Sequence, residues 1–322
     1  MEQILSIQSA VTLGFVGNSV AGPVITHLGH HPLLVDSVTL AAHPGYGLVA
    51  GDKIPDDIFS SILNALPPLG ALPHIGAVIT GYLGAPSQIE PLAKLITTWQ
   101  AERPKGHYVL DPVLGDNGRI YVDKHLVSAM RDQLLPFASF VTPNQFELQL
   151  LSGLDVYDIA SADTAALHLL DQNPHLNGVV ATGISTPQGR VHDRLISRYD
   201  LVDLAYAKRA AGIAGGGDLL TVILTSWLAA GMSFKDSFIA ASEQAHDIIS
   251  SPTTRKAFDL SLEKTSESTR FGRHEFGQSL LLASRLIEAG VHFVTVRLRP
   301  AEFDFDTHVD NFSKLSALLP PF

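Results

Sequence analysis

Short runs rich in β-branched and apolar residues recur along this chain, each followed by a stretch of helical character. That alternation constrains the fold more than any single motif. Gln3–Ile7, Leu33–Leu40, Ala77–Thr80, His107–Leu110, Ser139–Thr142 and Gly178–Ala181 read as strands. Between them, Gly14–Gly22 reads as a glycine-punctuated turn entering a helix, and Gln88–Trp99 and Phe146–Leu151 read as helices. Strands that alternate with helices are joined by crossovers, so the expected architecture is α/β, with a mostly parallel central sheet and helices on both faces. Thr80, Asp111, Thr142 with Asn144, and Thr182 each stand at the carboxyl end of an expected strand. In an open α/β sheet that edge is where ligands bind, so their recurrence points to a phosphate or nucleotide site.

The string Ala214-Gly215-Gly216-Gly217-Asp218 adds to this. It is followed by Leu219–Thr225, and neither Gly nor Pro occurs from there through Ala230, so a buried helix is expected to start near Asp218. Three glycines let the backbone turn tightly and approach a ligand. The unpaired N–H groups and positive dipole end of the helix suit phosphate oxygens. An aspartate in that place is either a helix cap or a base beside bound phosphate.

Composition narrows the possible partners. A formal charge of −10 and the lack of a Lys/Arg cluster argue against a nucleic-acid surface. The chain has no cysteine, which excludes disulfides, thiolate metal sites and cysteine nucleophiles, and leaves oxygen or histidine ligands for any metal. The segment Met1–Ile7 lacks a basic signal-peptide region, and no apolar stretch is clean and long enough to span a bilayer. The expectation is a cytoplasmic protein without membrane or nucleic-acid partners.

A set of short motifs carries a resemblance. Leu5-Ser6-Ile7-Gln8-Ser9 and Gly14-Phe15-Val16-Gly17-Asn18-Ser19 are followed by His43-Pro44-Gly45-Tyr46-Gly47 and Thr80-Gly81-Tyr82-Leu83-Gly84. Next come Asp111-Pro112-Val113-Leu114-Gly115-Asp116, Thr142-Pro143-Asn144-Gln145-Phe146-Glu147, Val180-Ala181-Thr182 and Gly215-Gly216-Gly217-Asp218. In this order, over residues 3 to 240, the chain resembles the pyridoxal kinases of the ribokinase-like superfamily. The resemblance implies a ribokinase-like fold and transfer of the γ-phosphoryl group of ATP to the 5′-hydroxymethyl of pyridoxal, pyridoxine or pyridoxamine.

It also implies roles for particular residues. Asp218 would be the catalytic base, and the N–H groups of Gly215, Gly216 and Gly217 the anion hole. Asp111, Asn144, Glu147 and Thr182 would serve the nucleotide, with Asp111 and Glu147 organising Mg²⁺ and its water shell. Ser9, Val16, His43, Tyr82 and Tyr121 would surround the vitamer, Tyr121 as a lid. A monovalent cation, K⁺ or Na⁺, and a homodimer are further implications. Each residue also has a plainer reading: Asp218 as an N-cap, Asp111 as turn chemistry before Pro112, Glu147 as charge complementing a helix dipole, His43 as a satisfied structural residue and Tyr121 as a strand-edge aromatic. Leu40, Ala42, Pro44 and Gly183 depart from Phe, Asn, Thr and Ser, which are frequent at these places in the family. Such changes bear on vitamer preference rather than on the chemistry.

The end of the chain follows another pattern. Ala257–Ser261, Phe271-Gly272-Arg273, Phe276–Ala283 and Leu286–Val291 resemble an internal piece of a bacterial sulfatase-like family of unknown function. Asp306-Thr307-His308 resembles that family's Trp-Asp-Thr-His signature, with Phe305 in place of Trp. Glu275–Ala289 is expected as a helix and Val291–Leu298 as a strand, with the junction inside Phe234–Ile249. The expected division is a kinase domain over residues 1–245 and an atypical C-terminal segment, not an independent domain, over residues 246–322. Asp306 and His308 suggest a metal pair, but the rest of that family's site is absent and a structural role is favoured. The alternatives to a pyridoxal kinase are a hydroxymethylpyrimidine-type kinase of the same superfamily, a vitamer-binding protein with a disabled nucleotide side, and a hydrolase fragment supplied by the tail.

Overall fold

Alternation along the first strand sets the layers of the structure. In β1 (Gln3–Leu13), Leu5 and Ile7 point to one face of the sheet and Ile4 to the other, and all three are buried. The structure is a computed structural model that describes residues 2–46, 50–187, 189–207, 214–250, 265–272 and 275–288. The chain divides into a unit of residues 1–247 and a second of residues 248–322.

In the first unit β1 is followed by α1 (Asn18–His27), β2 (His31–Ala42), β3 (Gly51–Lys53), α2 (Asp56–Ala65), β4 (Ile75–Thr80), α3 (Ile89–Glu102) and β5 (His107–Leu110). A hairpin of β6 (Gly115–Asp116) and β7 (Arg119–Ile120) leads to α4 (Lys124–Gln133), β8 (Phe140–Val141), α5 (Gln145–Ser152) and α6 (Ile159–Gln172). The unit closes with β9 (Gly178–Ser185), β10 (Arg190–Ser197), β11 (Leu201–Ala207), α7 (Gly216–Ala229) and α8 (Phe234–Ser250), which runs three residues past residue 247.

One sheet takes the order β11-β10-β9-β8-β5-β4-β1-β2-β3. The run from β9 to β2 is parallel, whereas β3, β10 and β11 pair antiparallel at its two edges. Leu5, Ile7, Val78, Leu110, Val141 and Val179 pack on α2 to α6 through Phe59, Trp99, Met130, Leu148 and Leu169. Ile4, Ala77 and Ile79 pack on Ala21 and Ile25 of α1 and Val222 of α7. Each large apolar side chain so buried contributes about 1.5–3 kcal/mol, which two covered faces multiply along the sheet. Trp99 also closes α3 onto the sheet, because its indole N–H donates to the Ile75 carbonyl at 2.9 Å.

Two features of this frame position a site. The register joins Ile7 to Thr80, Thr80 to Leu110, Leu110 to Val141 and Val141 to Val179, so the carboxyl ends of β4, β5 and β8 lie in one row, level with Ile7 of β1 and Val179 of β9. The strand order reverses at β1, with β2 on one side and β4 on the other, and such a switch point opens a crevice for ligands.

The expected strands appear with altered ends. β1 runs on to Leu13, and Ser139–Thr142 shortens to β8. β9 does not stop at Ala181: it continues to Ser185 because β10 supplies an antiparallel partner. In the second unit α9 (Thr265–Arg270) and α10 (Glu275–Glu288) are helical, and Gln278 Nε2 donates to the Gly272 carbonyl at 2.7 Å. The expected strand Val291–Leu298 and the pair Asp306 and His308 lie outside the described residues.

Candidate active site

The first turn of α7 is set by a glycine that no other residue replaces cheaply. Gly215 has φ +92°, and a Cβ there would run into the Phe15 carbonyl oxygen. α7 therefore begins directly against the loop that joins β1 to α1, with Val16 Cγ1 3.4 Å from that Cβ position. Gly215 supplies no capping side chain, which leaves the N–H groups of the first turn without side-chain acceptors from it. Asp218 lies in this turn and accepts a hydrogen bond from the Gly17 N–H. Gly17 has φ +52° and ψ −131°, and a Cβ on it would collide with the main chain of Ser9. Ser9, Gly17 and Asp218 thus stand in sequence across the gap between β1 and α7.

Two further acids stand beside Asp218. Asp111, just past β5, is buried, and its Oδ2 accepts from the Thr221 hydroxyl at 3.0 Å. Thr221 in turn lies 2.8 Å from the Thr142 hydroxyl. A Cβ on Gly217 would come 4.0 Å from Asp111 Oδ2, so Asp111 faces the α7 turn. Glu147 is buried and accepts from the Leu114 and Gly115 N–H groups at 2.8 and 3.4 Å and from the Asn144 N–H at 2.9 Å. Asn144 caps α5, accepting from the Phe146 and Glu147 N–H groups, and donates to the Gly115 carbonyl at 2.8 Å. This is a capping box whose acid also clamps the start of the β6–β7 hairpin.

The charges are strained. Burial, followed by the charges of Asp218 and Glu147, raises the Asp111 carboxyl well above its usual range. Burial pushes Glu147 up to about 7 against three backbone N–H donors, and Asp218 up to about 6 against the Gly17 N–H. Among the described residues no lysine or arginine pairs with any of the three. Nor does any set of three or more His, Asp or Glu side chains converge closely enough to enclose a metal. The arrangement fits a hard cation that takes one or two carboxylates and completes its shell with water and phosphate, as Mg²⁺ does.

A pH effect follows, with the sign reversed from an ordinary ion-paired acid. These folded-state values lie above the unfolded ones of 3.8 and 4.5, so the cluster's contribution to stability is complete below about 4 and is lost as pH rises through about 7. A cation bound by these acids would offset that loss. Thermal unfolding is therefore expected to show a larger Mg²⁺-induced rise in melting temperature at pH 8 than at pH 5, and Asp111→Asn is expected to shrink the difference. An equal rise at both pH values would contradict this reading.

The remaining candidates occupy the rim. Ser9 and Val16 are buried at the switch point. Tyr82 is half-buried, and burial raises the pKa of its hydroxyl. Its carbonyl accepts from Ser37 Oγ at 2.5 Å, while Gln88 bridges the Ser37 carbonyl and the Gly84 N–H at 2.8 and 2.9 Å. His43 Nδ1 accepts from the Gly45 N–H at 3.1 Å, a local turn bond. Tyr121 is 53% exposed at the end of the β6–β7 hairpin, with its N–H donating to the Leu114 carbonyl at 2.8 Å. Thr182 bridges to Asn144, and its N–H donates to the Pro143 carbonyl at 2.9 Å.

Ser9, Val16, Gly215 and Asp218 therefore meet on one side, Asp111 and Gly217 in the middle, and Asn144, Glu147 and Thr182 on the other. No described side-chain hydrogen bond ties His43 or Tyr121 to that row. Sequence reasoning gave no role to Gly17 or Thr221. The spacing of Thr221, three residues past Asp218 and hence on a neighbouring face of the helix, was the available signal.

Comparison with known proteins gives the same outline. A family model described as phosphomethylpyrimidine kinase matches residues 51–261, and a second, a protein of unknown function (DUF1501), matches residues 230–322. The chain is 37% identical over 243 residues to the pyridoxine/pyridoxal/pyridoxamine kinase of Bordetella bronchiseptica, covering 75% of this chain and 86% of that one. It is 29% identical to a pyridoxal kinase of Rubrobacter xylanophilus, covering 82% and 92%. Among solved structures, the pyridoxal kinase of Leishmania donovani in complex with ADP and pyridoxamine superimposes with a TM-score of 0.72 at 27% identity, covering 77% of this chain and 89% of that one.

Proposed function

We propose residue roles for a chain that belongs to the phosphomethylpyrimidine kinase family and, within it, is an ATP-dependent kinase of pyridoxal, pyridoxine and pyridoxamine. A primary alcohol is a weak nucleophile at neutral pH, so a positioned base must take its proton as the new P–O bond forms. Asp218 is that base. With its pKa pushed up to about 6 it is mostly ionised at neutral pH, yet basic enough to accept the proton. The N–H groups of Gly215, Gly216 and Gly217 face the charge that builds on the transferring oxygens.

Ser9 bonds the polar edge of the vitamer ring, and Val16 and Tyr82 cover its faces, with His43 and Tyr121 at the mouth. Asn144 and Thr182 orient the phosphates. Asp111 and Glu147 would hold Mg²⁺, Glu147 with oxygens that already accept backbone N–H groups. When bound, Mg²⁺ neutralises the phosphate charge that would otherwise repel these acids. The same reading takes the protein as a cytoplasmic homodimer, to be checked by light scattering.

The contact between Gly17 and Asp218 is the observation that carries this reading. It brings the carboxylate to the vitamer loop and to the α7 amides at once. A coupled ADP-release assay comparing pyridoxal with hydroxymethylpyrimidine tests it, and faster turnover with pyridoxal is expected. Turnover of hydroxymethylpyrimidine alone would replace the substrate, and ADP or pyridoxal binding without turnover would replace the enzyme by a binding protein.

We further propose that residues 1–245 are the kinase domain and that the C-terminal segment is an appendage. A chain ending at Ser250 is then expected to fold cooperatively and phosphorylate pyridoxal within a few-fold of the full chain. Loss of folding in that truncation would make the tail part of the kinase core.

A further inference from the structure

We propose that Asp193 is a positioning residue for the nucleotide: it fixes a bulge in β9 that aims Thr182, and it ties that bulge to α8. The proposal rests on the reading that Thr182 faces the nucleotide. The register between β9 and β10 pairs Ser185 with Val191 and Ile184 with His192, then Ala181 with Arg194. Thr182 and Gly183 therefore oppose Asp193 alone, which is a β-bulge. Gly183 takes φ +66° there, a left-handed conformation that glycine adopts without steric cost.

A bulge leaves a backbone N–H without its ladder partner. Here Asp193 Oδ1 accepts the Gly183 N–H at 3.1 Å, so a side chain replaces the missing strand bond. Asp193 is buried, and its other oxygen accepts from Ser242 Oγ at 2.8 Å and from His246 Nε2 at 3.1 Å. Ser242 and His246 are four residues apart on one face of α8. The Tyr206 hydroxyl in β11 lies 2.9 Å from Ser242 Oγ, and its ring stacks on His246 at 3.4 Å. Three strands and a helix are thus joined at one carboxylate.

On its opposite side Thr182 is fixed by its bridge to Asn144 and its bond to the Pro143 carbonyl. Removing Asp193 frees only the bulged side, and Thr182 loses its aim. Of the vitamer residues, Ser9 lies in β1 and Tyr82 just past β4, four and three strands from β9, or roughly 14–19 Å away at the usual spacing. The effect should therefore fall on the nucleotide and spare the vitamer.

Steady-state kinetics with both substrates, together with calorimetric binding of ADP, separates this from a general structural role. Asp193→Ala is expected to raise the KM for ATP and the Kd for ADP by about tenfold or more, as losing a bond to a charged acceptor does, with the KM for pyridoxal within about twofold. Asp193→Asn keeps an acceptor for Gly183 and should recover most of the loss. Ser242→Ala should shift the same two constants in the same direction by less. If Asp193→Ala does not fold, the Asn and Ser242→Ala variants decide alone: a small ATP-selective shift supports the proposal. Equal changes in both substrates, no change in either, or an Asn variant as impaired as Ala would overturn it. An unaltered protein that binds ADP but leaves pyridoxal untouched would remove the kinase reading while the ADP comparison still tests Asp193.

Discussion

Asp218→Asn is expected to lower the turnover of pyridoxal by at least ~10²-fold, the lower end of what a lost general base costs. The substitution keeps the size of the side chain and an acceptor oxygen for the Gly17 N–H, so the α7 turn should stay in place. It also removes one of three mutually repelling charges, which relaxes Asp111 and does not weaken the ATP side. The KM values should accordingly remain within a few-fold while kcat falls. The pH profile of the parent should carry the same signature, with turnover declining as pH drops through about 6, where Asp218 takes up its proton. Turnover of Asp218→Asn within a few-fold of the parent would remove Asp218 from the role and return it to being a helix cap.

Gly17→Ala is expected to be the most damaging change away from the base. The residue sits at φ +52° and ψ −131°, where a side chain costs about 1–3 kcal/mol. The Cβ would also press on the Ser9 main chain, so the turn must move. Moving it withdraws the one backbone donor on Asp218 among the described residues and displaces Ser9 together with it. The melting temperature should fall by roughly 2–8 °C. kcat/KM for pyridoxal should fall by about 10²-fold, the loss that misplacing a reacting group by about 1 Å brings. A variant that folds with the parent's stability and activity would show that the loop between β1 and α1 does not position the base.

The middle of the parallel sheet was legible because β4, β5 and β8 are short apolar runs, buried almost throughout, with little in them to compete with that pattern. β10 was not, since Arg190–Ser197 carries His192, Asp193 and Arg194 in its middle. Arg194 pairs with Asp163 of α6, its Nη2 2.6 Å from Asp163 Oδ2, and with Asp203 of β11, and Asp193 is held by Ser242 and His246 of α8; no pattern within the strand announces such partners. The start of α7 could be read because three glycines before an apolar run have few other meanings. The Asn144–Glu147 spacing signals a capping box, yet the clamp of Glu147 on Leu114 depends on a residue in another loop. Gly17 gave no sign of its task for the same reason: the carboxylate that its N–H serves belongs to the far end of the domain.

In the proposed mechanism, helix-end amides and a neighbouring carboxylate hold the terminal phosphate of ATP against an alcohol at the carboxyl edge of the sheet. The most direct test of that mechanism is to identify the products formed from pyridoxal, ATP and Mg²⁺ by mass spectrometry over a time course. Pyridoxal 5′-phosphate is expected to appear in step with ADP, mole for mole. ADP accumulating with the vitamer unmodified, or neither product forming, would contradict it.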